Sequence, residues 1–182
     1  KNLVPRTEDQ KTMLRIFWGK IRQADRDVLD LDKVYFLKKN PFFENLSKKQ
    51  LAQVTKLVYE LDYLADEHIF EIGQPCAALF IIQSGEVSIE TPIPQGESVQ
   101  IATLSKASFF GELALLNDDP RSASARATVP TKLFALFLKD LDKLAEKNPE
   151  ITSKIFKSLA TVIGRRLKAT NEFLDKKLRS VA

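Results

Sequence analysis

The 182-residue sequence is poor in the side chains that form disulfides and bind metals, with one cysteine, Cys76, and one histidine, His68. A single cysteine excludes a disulfide within the chain, which is the pattern expected in the reducing cytoplasm. A single histidine excludes a metal centre built on several histidines and argues against a cysteine–histidine catalytic pair. We therefore expect a cytoplasmic protein with no metal site.

Long apolar stretches are also missing, because no run approaches the roughly 18 consecutive apolar residues that a membrane-spanning helix needs. With 44% hydrophobic and 29% charged residues, the composition is that of an ordinary globular protein. The chain is long enough for one well-buried domain with accessory helices. We expect no membrane span.

The net charge of +4 is unevenly distributed along the chain. Residues 1–40 hold 10 Lys and Arg against 6 Asp and Glu, residues 41–153 hold 10 against 16, and residues 154–182 hold 8 against 2. The acidic middle lacks the broad positive field that grips nucleic acid, so an anion bound there must be held by a few local groups. The basic C-terminal stretch suits a nucleic-acid contact or, more commonly, a solvated helix face.

Helical periodicity marks both ends of the chain. Residues 8–37 carry apolar side chains at steps of three and four: Met13, Phe17, Ile21, Ala24, Val28 and Leu31. Ser47 and Gln50 have the spacing of a capping box, which predicts a helix from there to about Lys56. A short helix is predicted over 139–147, and Asn148-Pro149 is a good start for a long one.

The middle of the chain, from about Leu57 to Phe137, reads instead as short strands separated by turn residues. Seven segments are rich in Val, Ile, Phe, Leu and Thr: 56–64, 68–73, 78–83, 86–90, 98–104, 124–129 and 131–137. Seven or eight strands at this spacing predict a sandwich, a jelly roll or a small barrel.

The predicted C-terminal helix carries one long apolar stripe at steps of three and four: Phe156, Leu159, Ile163, Leu167, Thr170, Leu174 and Leu178. A stripe of this length on a terminal helix predicts packing against something large, and a parallel helix from a second subunit would suit it. Gly164 interrupts the helix at a cost of about 1 kcal/mol relative to Ala. That cost is tolerable if another backbone approaches there. We expect a homodimer through this helix.

The strand pattern breaks once, at residues 109–116, where Gly111 begins a segment too short for more than a turn or two of helix. Backbone N–H groups at such a start favour an anion. Ten residues further on, the planar fork of Arg121 suits two oxygens of a phosphate. Glu112 is an acceptor, which suits a sugar hydroxyl. A ligand with one phosphate and one ribose hydroxyl satisfies all three groups, although each feature alone is common in proteins that bind nothing there.

Residues 110–127 consist of the segment FGELALL, three further residues and the segment PRSASARA. The order and spacing of these segments closely resemble the phosphate-binding cassette of the cyclic nucleotide-binding domain family. The resemblance extends over about residues 40–178. It implies an α+β fold: an eight-stranded antiparallel β-roll, or jelly roll, with N-terminal helices and a long C-terminal hinge or dimer helix. The implied domains are a helical segment over 1–40, the roll over 41–148 with the cassette at 109–127, and the lid or dimerisation helix over 149–182.

The resemblance also implies roles for single residues. Glu112 matches the acceptor of the ribose 2′-hydroxyl, and Arg121 matches the arginine that pairs with the cyclic phosphate. Four further positions match groups that surround the ribose and phosphate: Gly111, Leu113, Ser122 and Ala123. Ser122 does not decide the base, because its position is usually Ala in cyclic-AMP kinase domains, Thr in cyclic-GMP ones and sometimes Ser in the catabolite activator group.

The segment GRRLKATNEFL, residues 164–174, resembles the dimer helix of the catabolite activator group where that helix touches the ligand. By this resemblance Arg166 reaches the phosphate side, Thr170 the adenine amine and Asn171 the adenine in the neighbouring subunit. A Thr hydroxyl can accept from the exocyclic amine of adenine. Thr170 is also compatible with a second interpretation, that of a polar residue tolerated in the seam between two packed helices. The resemblance implies cyclic AMP as the ligand.

We therefore expect a cyclic-nucleotide sensor that is not an enzyme and needs no cofactor, in which ligand binding moves the C-terminal helix as a lid. Only four residues follow Leu178, too few for a DNA-recognition helix, so no nucleic-acid partner is expected. A metal-dependent cupin shares the β-roll outline but needs several histidines. The open alternatives are a ligand-silent dimerising scaffold, cyclic GMP or a cyclic dinucleotide as ligand. Gly73-Gln74 departs from the Gly-Asp of many family members, with no bearing on the ligand expected.

Overall fold

The computed structural model describes residues 31–75, 77–93, 96, 98–116 and 119–181. Most of the helix predicted over 8–37 lies outside these residues. The described chain forms two compact units, one made of residues 56–141 and the other of residues 31–55 together with 142–181. Helices that are distant in sequence thus share one unit, whereas each predicted domain is one continuous stretch of the chain. The predicted domain boundaries after residues 40 and 148 stay predictions.

The first unit consists of strands. They are β1 Val58–Tyr63, β2 His68–Phe70, β3 Ala78–Ser84, β4 Glu86–Pro92, β5 Ser98–Ser105, β6 Phe109–Phe110, β7 Ser124–Ala127 and β8 Thr131–Phe137. Within the described residues they form two four-stranded antiparallel sheets, β1-β8-β3-β6 and β2-β7-β4-β5. This confirms the predicted eight-stranded roll.

The two-residue strand β6 is the one that periodicity did not mark. Phe109 and Phe110 pair with Ile81 and Phe80 of β3. Because two residues are too few to show an alternation, the strand is recognisable only from its pairing. Its position matters, since Gly111 follows it directly.

The core of the roll follows the alternation of inward and outward side chains along each strand. In β7, Ala125 and Ala127 are fully buried, whereas Arg126 points to the opposite face. There the Arg126 guanidinium binds Glu90 Oε1 at 2.8 Å and Asp66 Oδ1 at 2.7 Å. The hydrogen bond from Arg126 lowers the pKa of Glu90. Arg126, although inside the cassette sequence, therefore ties β7 to β4 on the outer face.

The second unit is helical, with α1 Leu31–Lys38, α2 Lys48–Thr55, the end of α3 Leu138–Lys147 and α4 Pro149–Val181. The capping box is confirmed, because Ser47 N donates to Gln50 Oε1 at 3.0 Å and Gln50 N donates to Ser47 Oγ at 3.2 Å. Gln50 also donates to Glu150 Oε1 at 3.0 Å, which joins α2 to the first turn of α4. The long helix begins at Pro149, as predicted.

The apolar stripe of α4 changes character along the helix. Of the predicted stripe, Leu159 is buried and Phe156 and Ile163 are half-buried, whereas Leu167 and Leu178 are 60% and 70% exposed. The first part of the stripe therefore belongs to the core of the helical unit, and the second part faces outward in the single chain.

Candidate ligand-binding site

The loop between β6 and β7 opens with a conformation that requires glycine. Gly111 has φ +71°, in the left-handed region, and caps a single 3₁₀ turn over Glu112–Leu115. A Cβ on Gly111 would lie 2.6 Å from Nη1 of Arg121 and 3.1 Å from the carbonyl oxygen of Ala78. The absence of a side chain therefore makes room for the arginine as well as for the turn.

Arg121 is the centre of the site and is only 5% exposed. Its Nη2 donates to the carbonyl oxygen of Ala78 at 3.0 Å, and its Nη1 donates to the carbonyl oxygen of Gly111 at 3.4 Å. The structure thus brings Gly111 and Arg121 together across ten residues of sequence. Because arginine keeps its charge when buried, this places a fixed positive charge where water screens it poorly.

Aromatic rings cover the face of the same guanidinium. Arg121 Cζ lies 4.0 Å from the centroid of the Phe70 ring and 5.6 Å from that of Phe80. Both distances are within the range of cation–π attraction. Phe110 completes the cluster, with its ring centroid 5.3 Å from that of Phe80 and 5.9 Å from that of Phe70.

The main chain of Arg121 is held by the turn that departs from the family pattern. Arg121 N donates to the carbonyl oxygen of Gln74 at 2.8 Å, and Gly73 N donates to the carbonyl oxygen of Arg121 at 2.8 Å. The Gln74 side chain stays inside the turn, where its Oε1 accepts from Glu71 N at 2.8 Å. The turn therefore bears on the site more closely than the sequence indicated, because it holds the residue at its centre.

The remaining cassette residues flank this pair. Glu112 is 9% exposed and Leu113 is 45% exposed. Beyond Arg121, Ser122 is exposed and Ala123 is half-buried. These residues adjoin Gly111 or Arg121 in the chain, and the described residues of the predicted cassette all lie within one unit.

The three predicted site residues of α4 belong to the helical unit. Arg166, Thr170 and Asn171 are all exposed. Thr170 Oγ1 donates to the carbonyl oxygen of Arg166, one turn earlier, at 3.0 Å. Since that bond uses the hydroxyl proton, the oxygen presents its lone pairs as acceptors.

Residues 60–148 match the family model described as the cyclic nucleotide-binding domain. The chain contains a domain of this family. Glutaminase 1 of Bradyrhizobium diazoefficiens is 31% identical over 147 residues, which are 81% of this chain and 23% of that protein. The cyclic AMP receptor protein of Thermus thermophilus is 30% identical over 139 residues, 76% of this chain and 62% of that protein.

A cyclic nucleotide-binding domain from Methylobacillus flagellatus has the same fold, with a TM-score of 0.70 at 22% identity over 80% of this chain and 85% of that one. The chain spans about a quarter of the glutaminase and less than two thirds of the receptor.

The cyclic nucleotide-binding domain contains site residues that sequence reasoning missed: Phe70, Ala78 and Phe80 around the guanidinium, and Gln74 behind the main chain. Phe70, Ala78 and Phe80 are apolar residues of strands β2 and β3 and belong to the buried core cluster, so the sequence marks them only as core. In the part of the chain that the structure describes, no group of His, Cys, Asp and Glu side chains is arranged to hold a metal ion. No helix among those residues is long and apolar enough to cross a membrane.

Proposed function

We propose that this chain is a regulatory sensor for a cyclic mononucleotide, with cyclic AMP preferred, and that it is not an enzyme. The observation that carries the proposal is the buried guanidinium of Arg121, held between the carbonyl oxygens of Gly111 and Ala78 inside a family cassette. The choice of ligand is supported by the 30% identity to a protein of Thermus thermophilus that is named as a cyclic AMP receptor. The glutaminase match supports no enzymatic role, because it spans 23% of that protein.

The cyclic phosphate would pair with Arg121. Charge-assisted hydrogen bonds are roughly twice as strong as neutral ones, and a buried cation attracts an anion more strongly than an exposed one. The backbone amides from Gly111 to Leu113 would add donors, and Ser122 with Ala123 would close the phosphate from the other side. The Glu112 carboxylate would accept from the ribose 2′-hydroxyl.

The preference for adenine rests on Thr170. Its hydroxyl donates to the Arg166 carbonyl, so its oxygen is oriented to accept. Adenine presents an amine at position 6, which can donate to that oxygen, whereas guanine presents a carbonyl oxygen, which cannot. Arg166 would face the phosphate and Asn171 the base held by a neighbouring subunit.

The signal in this proposal is the position of α4. The ligand would recruit the helix as a lid over the base, and it can shift the helix only by its difference in affinity for the two positions. The exposed second part of the apolar stripe, with Leu167 and Leu178, would pack against the same helix of a second copy. The single cysteine is the reason that we propose a cytoplasmic location.

A competition experiment tests the proposal. A fluorescent cyclic AMP analogue is bound to the purified chain and displaced by cyclic AMP, cyclic GMP or cyclic di-GMP. We expect cyclic AMP to displace it best and cyclic di-GMP not to displace it. Binding of none of the three would show a ligand-silent scaffold, and preference for another nucleotide would overturn the choice of ligand. Light scattering that gives a monomer with saturating ligand would refute the dimer.

A further inference from the structure

We infer that Phe70 is a positioning residue, whose ring holds the Arg121 guanidinium in its ligand-binding orientation before any ligand arrives. The inference rests on the proposed function, because it concerns the same arginine. It assigns to a core phenylalanine a contribution to cyclic-nucleotide affinity.

A β-bulge aims the Phe70 ring at the site. His68 pairs with Arg126 and Phe70 pairs with Ala125, so Ile69 is an extra residue in β2. In a regular strand His68 and Phe70 would share one face, the outward face of Arg126. The bulge turns Phe70 to the inward face of Ala125, and bulges commonly re-aim a side chain in this way.

The ring then has little freedom of its own. Phe70 is 6% exposed, and its centroid lies 5.8 Å from that of Phe80 and 5.9 Å from that of Phe110. Phe80 and Phe110 stack on each other with an interplanar angle of 19°. Two rings from neighbouring strands therefore fix the surface on which the guanidinium rests.

The ring and the carbonyl groups constrain Arg121 in complementary ways. The carbonyl oxygens of Ala78 and Gly111 accept from the edge of the planar guanidinium. The Phe70 ring contacts it at 4.0 Å and limits its tilt. Neither the phenyl ring nor the two carbonyl groups carries a formal charge. An arginine held in this way loses less side-chain entropy on binding.

Fluorination tests the inference, because it weakens the quadrupole of a phenyl ring while changing its size little. Phenylalanine at position 70 of the full chain is replaced by its mono-, di- and trifluorinated forms, and cyclic AMP affinity and unfolding midpoint are measured. We expect the dissociation constant to rise stepwise with each fluorine, to about 3- to 30-fold, the range of a cation–π contact. The unfolding midpoint of the ligand-free chain should fall as well, because the contact is already made before the ligand binds.

The matched control is the same series at Phe134, which is also buried but lies outside the core cluster that contains Phe70. If fluorination of Phe134 leaves cyclic AMP affinity unchanged, the result supports a positioning role for Phe70. If affinity falls equally with each fluorine at both positions, the effect is a general one on the core, and the inference is overturned. A flat series at Phe70, with affinity still lost in Arg121→Ala, overturns the inference and leaves the proposed function standing. Unchanged affinity in Arg121→Ala would instead refute the proposed function.

Discussion

The substitution Gly111→Ala adds one methyl group at the point where the cassette meets its arginine. The new Cβ would lie 2.6 Å from Nη1 of Arg121 and 3.1 Å from the carbonyl oxygen of Ala78, so the guanidinium must move. The left-handed backbone, at φ +71°, adds about 1–2 kcal/mol of strain for any residue with a Cβ. The variant should therefore lose both stability and ligand affinity.

The two effects separate with a second glycine. Gly96 has φ +86°, but a Cβ there meets nothing within 4 Å. Gly96→Ala should therefore lose a similar amount of stability through strain alone and keep its ligand affinity. For Gly111→Ala, displacement of the guanidinium costs hydrogen bonds to a charged group, about 1.5–3 kcal/mol, which corresponds to roughly 10- to 150-fold weaker binding.

Urea denaturation followed by circular dichroism gives the stability of both variants, and calorimetric titration gives their cyclic AMP affinity. The geometric reasoning is refuted if Gly111→Ala binds cyclic AMP as tightly as Gly96→Ala does, because the displaced guanidinium would then play no part in binding.

Three further predictions concern single contacts. Glu112→Ala should bind cyclic AMP and its 2′-deoxy analogue equally, whereas the wild type prefers cyclic AMP; equal affinities in the wild type would remove Glu112 from the ribose. Thr170→Val should lower the cyclic AMP to cyclic GMP affinity ratio by about 2- to 10-fold, the worth of one hydrogen bond; an unchanged ratio would assign Thr170 to the helix seam. The bond from Arg126 lowers the pKa of Glu90, so it stabilises the fold above the ordinary glutamate pKa and less as the pH falls through the lowered pKa. In urea denaturation at a series of pH values, Arg126→Ala should therefore lose less stability than the wild type as the pH falls. An identical loss of stability in both proteins would contradict this prediction.

Much of the fold could be predicted because its signals are local. The capping box at Ser47, the start of the long helix at Pro149 and seven of the strands each depend on neighbours in sequence. Strand β6 has two residues and depends on pairing with β3, so no periodicity could show it. Strand β2 ends at Phe70, earlier than predicted, because Glu71 and Gln74 form the turn that holds Arg121.

The candidate site likewise contains residues that the sequence predicts and residues that only the fold reveals. Gly111, Glu112 and Arg121 are predicted as ligand-binding residues by motif, since their spacing in sequence is itself the signal. Phe70 could not be found, because an inward phenylalanine in a strand is typical of a core and its contact with Arg121 spans 51 positions. Motifs therefore identify the groups expected to touch the ligand, whereas the residues that hold those groups require the fold.

The most direct measurement is the calorimetric titration of cyclic AMP into the wild-type chain and into Arg121→Ala, with Lys132→Ala as a control that removes an exposed positive charge from the same unit. The wild type and the control should bind with equal affinity. Truncating one partner of a buried charge pair costs about 2–5 kcal/mol, so Arg121→Ala should bind at least about 30-fold more weakly. Equal affinity of Arg121→Ala and the wild type, or no binding by the wild type, would contradict the account.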